Sequence, residues 1–72
     1  DSEKLSFNER KEYQKLEKEI EELEKKKSAI HIQMSNSDLD YEKLQELSET
    51  FSALKEELEE KEFRWLELAE RA

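Results

Sequence analysis

A chain of 72 residues makes at most one domain, and it buries little apolar surface unless its elements are very regular or pair with another chain. It has no Gly, no Pro and no Cys while 47% of its residues are charged, which excludes glycine-rich phosphate loops, disulfide frameworks and thiolate metal sites and leaves long helices as the matching element. The net charge of −8 argues against indiscriminate binding to nucleic acid, because affinity for phosphate comes from Lys and Arg displacing counterions.

The first element opens at Ser6-Phe7-Asn8-Glu9. This is a capping box, in which the Ser6 hydroxyl accepts from the Glu9 N–H and the Glu9 carboxylate reaches back to the N–H of Ser6. From there Tyr13, Leu16, Ile20, Leu23, Lys27, Ile30 and Met34 recur at alternating steps of three and four, a coiled-coil seam that predicts helix over about residues 7–34. Ser35-Asn36-Ser37-Asp38-Leu39-Asp40 is the only cluster of turn-forming residues in the chain, and the chain is expected to reverse there. Asn36 is expected to end the first helix in the left-handed conformation in place of a glycine. Asp40, preferred over Asp38, is expected to cap the next helix, with Glu42 favourable in its first turn. A second seam follows in Leu44, Leu47, Phe51, Leu54, Leu58, Lys61, Trp65 and Leu68, with Ala72 at the next step, and predicts helix over about residues 41–71.

The two seams are out of phase, which decides the architecture. Carrying the first register into the second half would put Ser48, Lys55 and Glu62 on the seam, which argues against a single continuous rod. The fold expected is all-α, an antiparallel two-helix coiled-coil hairpin, each helix roughly 40 to 45 Å long. With the reversal near residues 37 and 38, facing residues should have numbers that add to about 75, give or take a few. Leu23 then meets Phe51 or Leu54, Ile20 meets Leu54 or Leu58, and Tyr13 lies against Lys61 and Trp65. Lys27 and Lys61 interrupt the seams and are read as snorkelling side chains, stem on apolar neighbours and ammonium toward water. Pairs at i,i+4 are expected outside: Glu21 with Lys25, Glu22 with Lys26, Glu57 with Lys61, Glu60 with Arg64 and Glu67 with Arg71. A two-helix seam leaves wet flanks, so stability as an isolated monomer is marginal and self-association, a homo-oligomer, is an open possibility.

No residue qualifies for catalysis. The only histidine, His31, flanks the seam with no cysteine in the chain, and the many carboxylates sit on solvated faces without the burial that would shift a pKa. No catalytic, cofactor or metal site is assigned. The longest uncharged stretch, Ser28 to Ser37, is too short and too polar to cross a bilayer, so no membrane partner is expected. Lacking cysteine, the chain has a reducing compartment as its default. Charge is unevenly distributed, with eight basic against nine acidic side chains in residues 1–34 and five against twelve in residues 35–72. An anionic partner should therefore touch the first half. Candidate phosphate contacts are Lys11, Lys15, Lys18, Lys25, Lys26 and Lys27. The last three, with His31 near the turn, form the densest cluster, while Lys4 and Arg10 extend a second set interleaved with Glu9, Glu12, Glu17 and Glu19.

Three stretches bring a family into view. Lys4-Leu5-Ser6-Phe7-Asn8-Glu9 resembles the opening Lys-Leu-Ser-Tyr/Phe-x-Glu of the C-terminal domain of Uup-type ABC-F ATPases, Tyr41-Glu42-Lys43-Leu44 resembles that family's Pro-Glu-Lys-Leu after its turn, and Phe63-Arg64-Trp65-Leu66-Glu67-Leu68 resembles its closing Glu-Arg-Trp-Leu-Glu-Leu. The resemblance covers nearly the whole chain in order. It implies a cytoplasmic parent with two ATP-binding cassettes and no membrane span, which would bind ATP and Mg, while this C-terminal coiled-coil piece would carry no cofactor. A first residue that is Asp and not Met fits such a piece of a larger protein. The resemblance further implies association with DNA and, for the wider group, with the ribosome. The six lysines are assigned to that role from their charge and not from a family motif. Two other readings stand beside it: a protein-interaction or dimerisation prong, and a generic coiled-coil piece of a filament or scaffold.

Overall fold

The structure, a computed structural model, describes residues 4–36 and 38–72. Two helices account for most of it, α1 (Phe7–Met34) and α2 (Tyr41–Ala69), and they pack against each other as a prong of 57 × 15 × 14 Å. Both helices are rich in Leu, Glu and Lys, good helix formers, with no glycine or proline to interrupt them, so each runs from cap to cap.

The N-terminal caps are those the spacing predicts. Ser6 Oγ accepts from the Glu9 N–H at 3.1 Å, and the Ser6 N–H donates to Glu9 Oε1 at 3.0 Å. At the start of α2, Asp40 Oδ1 accepts from the Lys43 N–H at 2.8 Å, and Glu42 lies in the first turn. Leu39 just before that cap and Leu44 four positions into the helix have the spacing of a hydrophobic staple. Asp40→Ala should cost about 1 kcal/mol, and Asp40→Asn only a small fraction of that, in urea melts followed by circular dichroism. Equal losses for the two substitutions would show that the cap bond is not what matters there.

The end of α1 differs from expectation. Among the described residues none has positive φ, so Asn36 does not take the left-handed conformation. The C-cap is Ser35, with φ −78° and ψ −8°; its N–H reaches the His31 and Ile32 carbonyls, and the Asn36 N–H reaches Gln33. The Ser35 hydroxyl also donates to the His31 carbonyl at 3.1 Å. These bonds satisfy the last carbonyls within right-handed backbone, so no left-handed residue is needed. Asn36 is used otherwise: its Oδ1 accepts from the Asp38 N–H at 3.0 Å, a side-chain turn that bends the chain toward Asp40. Ser37, part of the expected turn, lies outside the described residues. At the far end α2 stops at Ala69, short of residue 71, where the Glu70 N–H donates to the Leu66 carbonyl and the Arg71 N–H to that of Leu68. Ala72 is exposed and takes no place in the seam.

Cross-helix pairs establish the antiparallel sense. Tyr13 stacks on Trp65 with ring centroids 5.5 Å apart and planes at 14°, Lys27 Nζ sits 5.6 Å over the Phe51 ring, and the His31 ring lies 6.2 Å from Phe51. Residues late in α1 therefore meet residues early in α2. The numbers of every such pair add to more than 75, a register displaced from a turn-centred estimate. The cause is side-chain direction. Helical side chains lean toward their own N-terminus, away from the turn in α1 and toward it in α2, so tips that meet belong to Cα atoms further along both helices.

Leu16, Leu23, Leu47, Leu58 and Leu68 form the buried core, and Tyr13, Ile20, Ile30, Met34, Phe51, Leu54 and Trp65 close the seam half-buried. Lys27 and Lys61 are half-buried on the seam, and Lys61 delivers its ammonium to Glu19 Oε2 at 3.3 Å. Leu68 is fully buried although it lies toward the open end. Its spacing sets it between Arg64 and Arg71, and both guanidiniums cross to α1: Arg64 grips Glu12 with two bonds of 2.9 Å, and Arg71 pairs with Glu9. These cross-helix pairs flank the buried leucine in sequence and tie the open end of the hairpin together.

This ladder corrects the expected charge pairing. Of the five i,i+4 pairs only Glu21–Lys25 forms, at 3.4 Å. Lys61, Arg64 and Arg71 turn instead to Glu19, Glu12 and Glu9 across the interface. They occupy the seam or its flank, where a partly shielded, forked contact outweighs an exposed pair on the same helix. In an antiparallel pair the same flank of each helix faces its counterpart, so acid on α1 and base on α2 also fix orientation.

The ladder has a pH signature. The Ser6 backbone N–H, and after it the Arg71 guanidinium, lower the Glu9 pKa from its ordinary 4.5 to about 2. Glu12 is lowered by its bonds to Arg64, which is itself raised. A depressed carboxylate contributes stability that is complete above about 4.5 and is lost as pH falls through about 2. The difference in melting temperature between the parent chain and Glu9→Gln should therefore be greatest near neutrality and vanish at the acid end. A gap independent of pH would mean that the Glu9 charge does not act.

Candidate nucleic-acid interface

Helix geometry sorts the six candidate lysines. Lys11, Lys15, Lys18 and Lys25 follow at steps of four, three and seven, which places them on one stripe of α1 opposite the seam, and all four are exposed. The stripe runs about 21 Å along the helix. Glu22 interrupts it, and Glu21 engages Lys25, leaving Lys11, Lys15 and Lys18 as its least compensated part. Lys11 Nζ lies 4.6 Å over the exposed ring of Phe7, which steadies the first lysine without covering it.

Lys26 and Lys27 are not part of this surface. Lys26 stands on the flank, lining a small recess with Glu19, Glu22 and Glu57, and Lys27 is spent on the seam over Phe51. The run Lys25-Lys26-Lys27, contiguous in sequence, is thus divided among three faces of one helix. His31 is exposed in the last turn of α1 beside Phe51. Arg10 and Lys4 line a shallow recess at the open end with Tyr13 and Arg71, apart from the outer stripe.

A feature that motif reading missed lies on the flank away from the Arg–Glu ladder. Ile20, Trp65 and Leu66 floor a groove of about 360 Å³ edged by Glu17, Glu21, Glu24 and Glu62. The Trp65 indole N–H is buried without a hydrogen-bond partner, so stacking on Tyr13 is what holds the ring. The signal was present in the seam positions: Glu17 and Glu24 flank the first seam as Glu62 flanks the second, and antiparallel pairing brings these flanks together.

Among the described residues no three acidic, histidine or cysteine side chains converge as metal ligands, and no helix is long and apolar enough to cross a membrane. The described residues form a slender helical hairpin that presents charged faces. The sequence pattern of the ABC transporter C-terminal domain matches residues 4–70, nearly the whole chain, and the chain belongs to that family. No curated protein and no solved structure matches it.

Proposed function

We propose that this hairpin is a non-catalytic C-terminal module of an ABC-F ATPase of the Uup type, and that it helps its parent engage nucleic acid, DNA or ribosomal RNA, through phosphate contacts made by α1. The observation that carries the reading is the outer stripe of Lys11, Lys15, Lys18 and Lys25, four exposed ammonium groups on one face of a chain that is otherwise strongly acidic. Ammonium groups spaced along a rigid rod can follow a phosphate backbone without reading bases, so binding is sequence-tolerant and steeply salt-dependent. The parent is taken to be cytoplasmic, and its two cassettes, not this chain, would hold ATP and Mg. The acidity of α2 keeps the rest of the prong off the polyanion and orients α1 toward it.

Fluorescence anisotropy with labelled duplex and branched DNA, and co-sedimentation with ribosomes, test the proposal at micromolar protein. Salt-sensitive binding to any of the three supports it, and no binding to all three rejects it. A second reading, a protein-interaction prong, draws on Phe63 and Leu66, which are large, apolar and exposed on α2.

A further inference from the structure

The two flanks of the hairpin are unlike. One carries the acid-to-base ladder that locks the helices together. On the other, Glu17, Glu21 and Glu24 of α1 stand with Glu62 of α2 around the apolar floor of Ile20, Trp65 and Leu66. Among the described residues only Glu21 has a cationic partner, the exposed Lys25. Like charges gathered across a helix pair oppose its formation, and Leu66 lies outside the seam with 54% of its surface exposed, so neither serves the hairpin itself. Phe63, one turn back on the same outer face and 68% exposed, extends the apolar surface. An apolar strip edged by uncompensated carboxylates is complementary to one kind of surface, a helix that is apolar on one side and basic on its borders.

We infer that this groove is a docking site for a lysine- or arginine-rich amphipathic helix of a partner protein. Charge selects the occupant. A second copy of this chain carries net −8, and its one basic face, the α1 stripe, has no apolar side chain between Lys11 and Lys25 to seat on the floor, while a nucleic acid would bring phosphate to the same carboxylates. The groove extends from Glu17 to Glu24, about two helical turns, so the partner's contact is short: apolar side chains one turn apart seat on Leu66 and on the Ile20–Trp65 floor, and Lys or Arg on either side meet the glutamates. Lys11, Lys15 and Lys18 of the stripe are on the outer face of α1 and do not line the groove, so this inference stands or falls separately from nucleic-acid binding.

Trp65 is the only tryptophan, and it lines the groove, so its emission reports occupancy directly. The probe is a synthetic amphipathic peptide of leucine and lysine, titrated into the 72-residue chain beside a version with glutamate in place of lysine. Saturable change in Trp65 emission is expected with the lysine peptide and none with the glutamate peptide. The charge reversal Glu17→Lys with Glu24→Lys should weaken binding at least about tenfold. Leu66→Ala should weaken it several-fold, and Lys11→Gln with Lys18→Gln should leave it unchanged. Circular dichroism confirms that each variant keeps its helices. Undiminished affinity in the charge-reversed variant overturns the proposal. So does a Trp65 response to duplex DNA, or one that follows self-association in sedimentation, since each would assign the groove another occupant.

Discussion

Leu68→Ala is expected to unfold most of the hairpin at room temperature. Among the described residues Leu68 is the one fully buried side chain, and truncating a buried leucine costs about 2 to 5 kcal/mol. A chain of this size, with a single two-helix seam, has about 3 to 5 kcal/mol in total. The loss is comparable with the whole, so the far-ultraviolet helical signal should collapse where the parent chain retains it. Leu66→Ala removes the same atoms from a position 54% exposed and should change stability by less than about 0.5 kcal/mol. Breaking the Arg71–Glu9 or Arg64–Glu12 contact should cost less than losing Leu68, because those groups remain solvated at the rim. If Leu68→Ala melted like the parent chain, the burial of Leu68 would not carry the open end of the seam.

Neutralising the outer stripe should have the largest effect on ligand binding. With Lys11, Lys15, Lys18 and Lys25 all contacting phosphate, affinity for duplex DNA should fall about a hundredfold between 50 and 200 mM salt, the dependence set by about four displaced counterions. The fourfold change to glutamine should abolish that dependence and reduce affinity at low salt by a similar factor. Lys26→Gln with Lys27→Gln alters the same formal charge per residue but touches the flank and the seam, so binding should change little. Equal losses in the two variants would mean that overall charge matters and the face does not. A reversed order would put the interface near the turn.

Most of the fold can be read from residue spacing because the chain offers few alternatives. Two seams out of phase across one polar hexapeptide allow only a reversal, and Ser6–Glu9 and Asp40 are local caps whose geometry needs no tertiary information. The Tyr13–Trp65 stack follows from the same spacing. What spacing did not convey is competition between partners. Arg64 has Glu60 four residues back and Glu12 across the interface, and the choice of Glu12 depends on which flank the folded seam shields. Asn36 could end the helix through its backbone or bend the turn through its side chain, and Ser35 settles the matter by satisfying the carbonyls first. Of the candidate site, the lysines were legible as a list. That Lys25, Lys26 and Lys27 face three directions follows from helical geometry, whereas the acid-edged groove exists only once both flanks are brought together.

Every functional statement rests on the chain doubling back so that the lysine stripe and the acidic groove occupy different sides of one slender body. Spin labels attached at Asn8→Cys and Glu70→Cys, both exposed and in a chain with no other cysteine, measure this most directly by pulsed dipolar spectroscopy. Diluted with unlabelled protein, the pair should show a separation near the prong's 15 Å width plus the label arms. A separation of about 90 Å, the length of an unbroken helix between the two sites, would contradict the account.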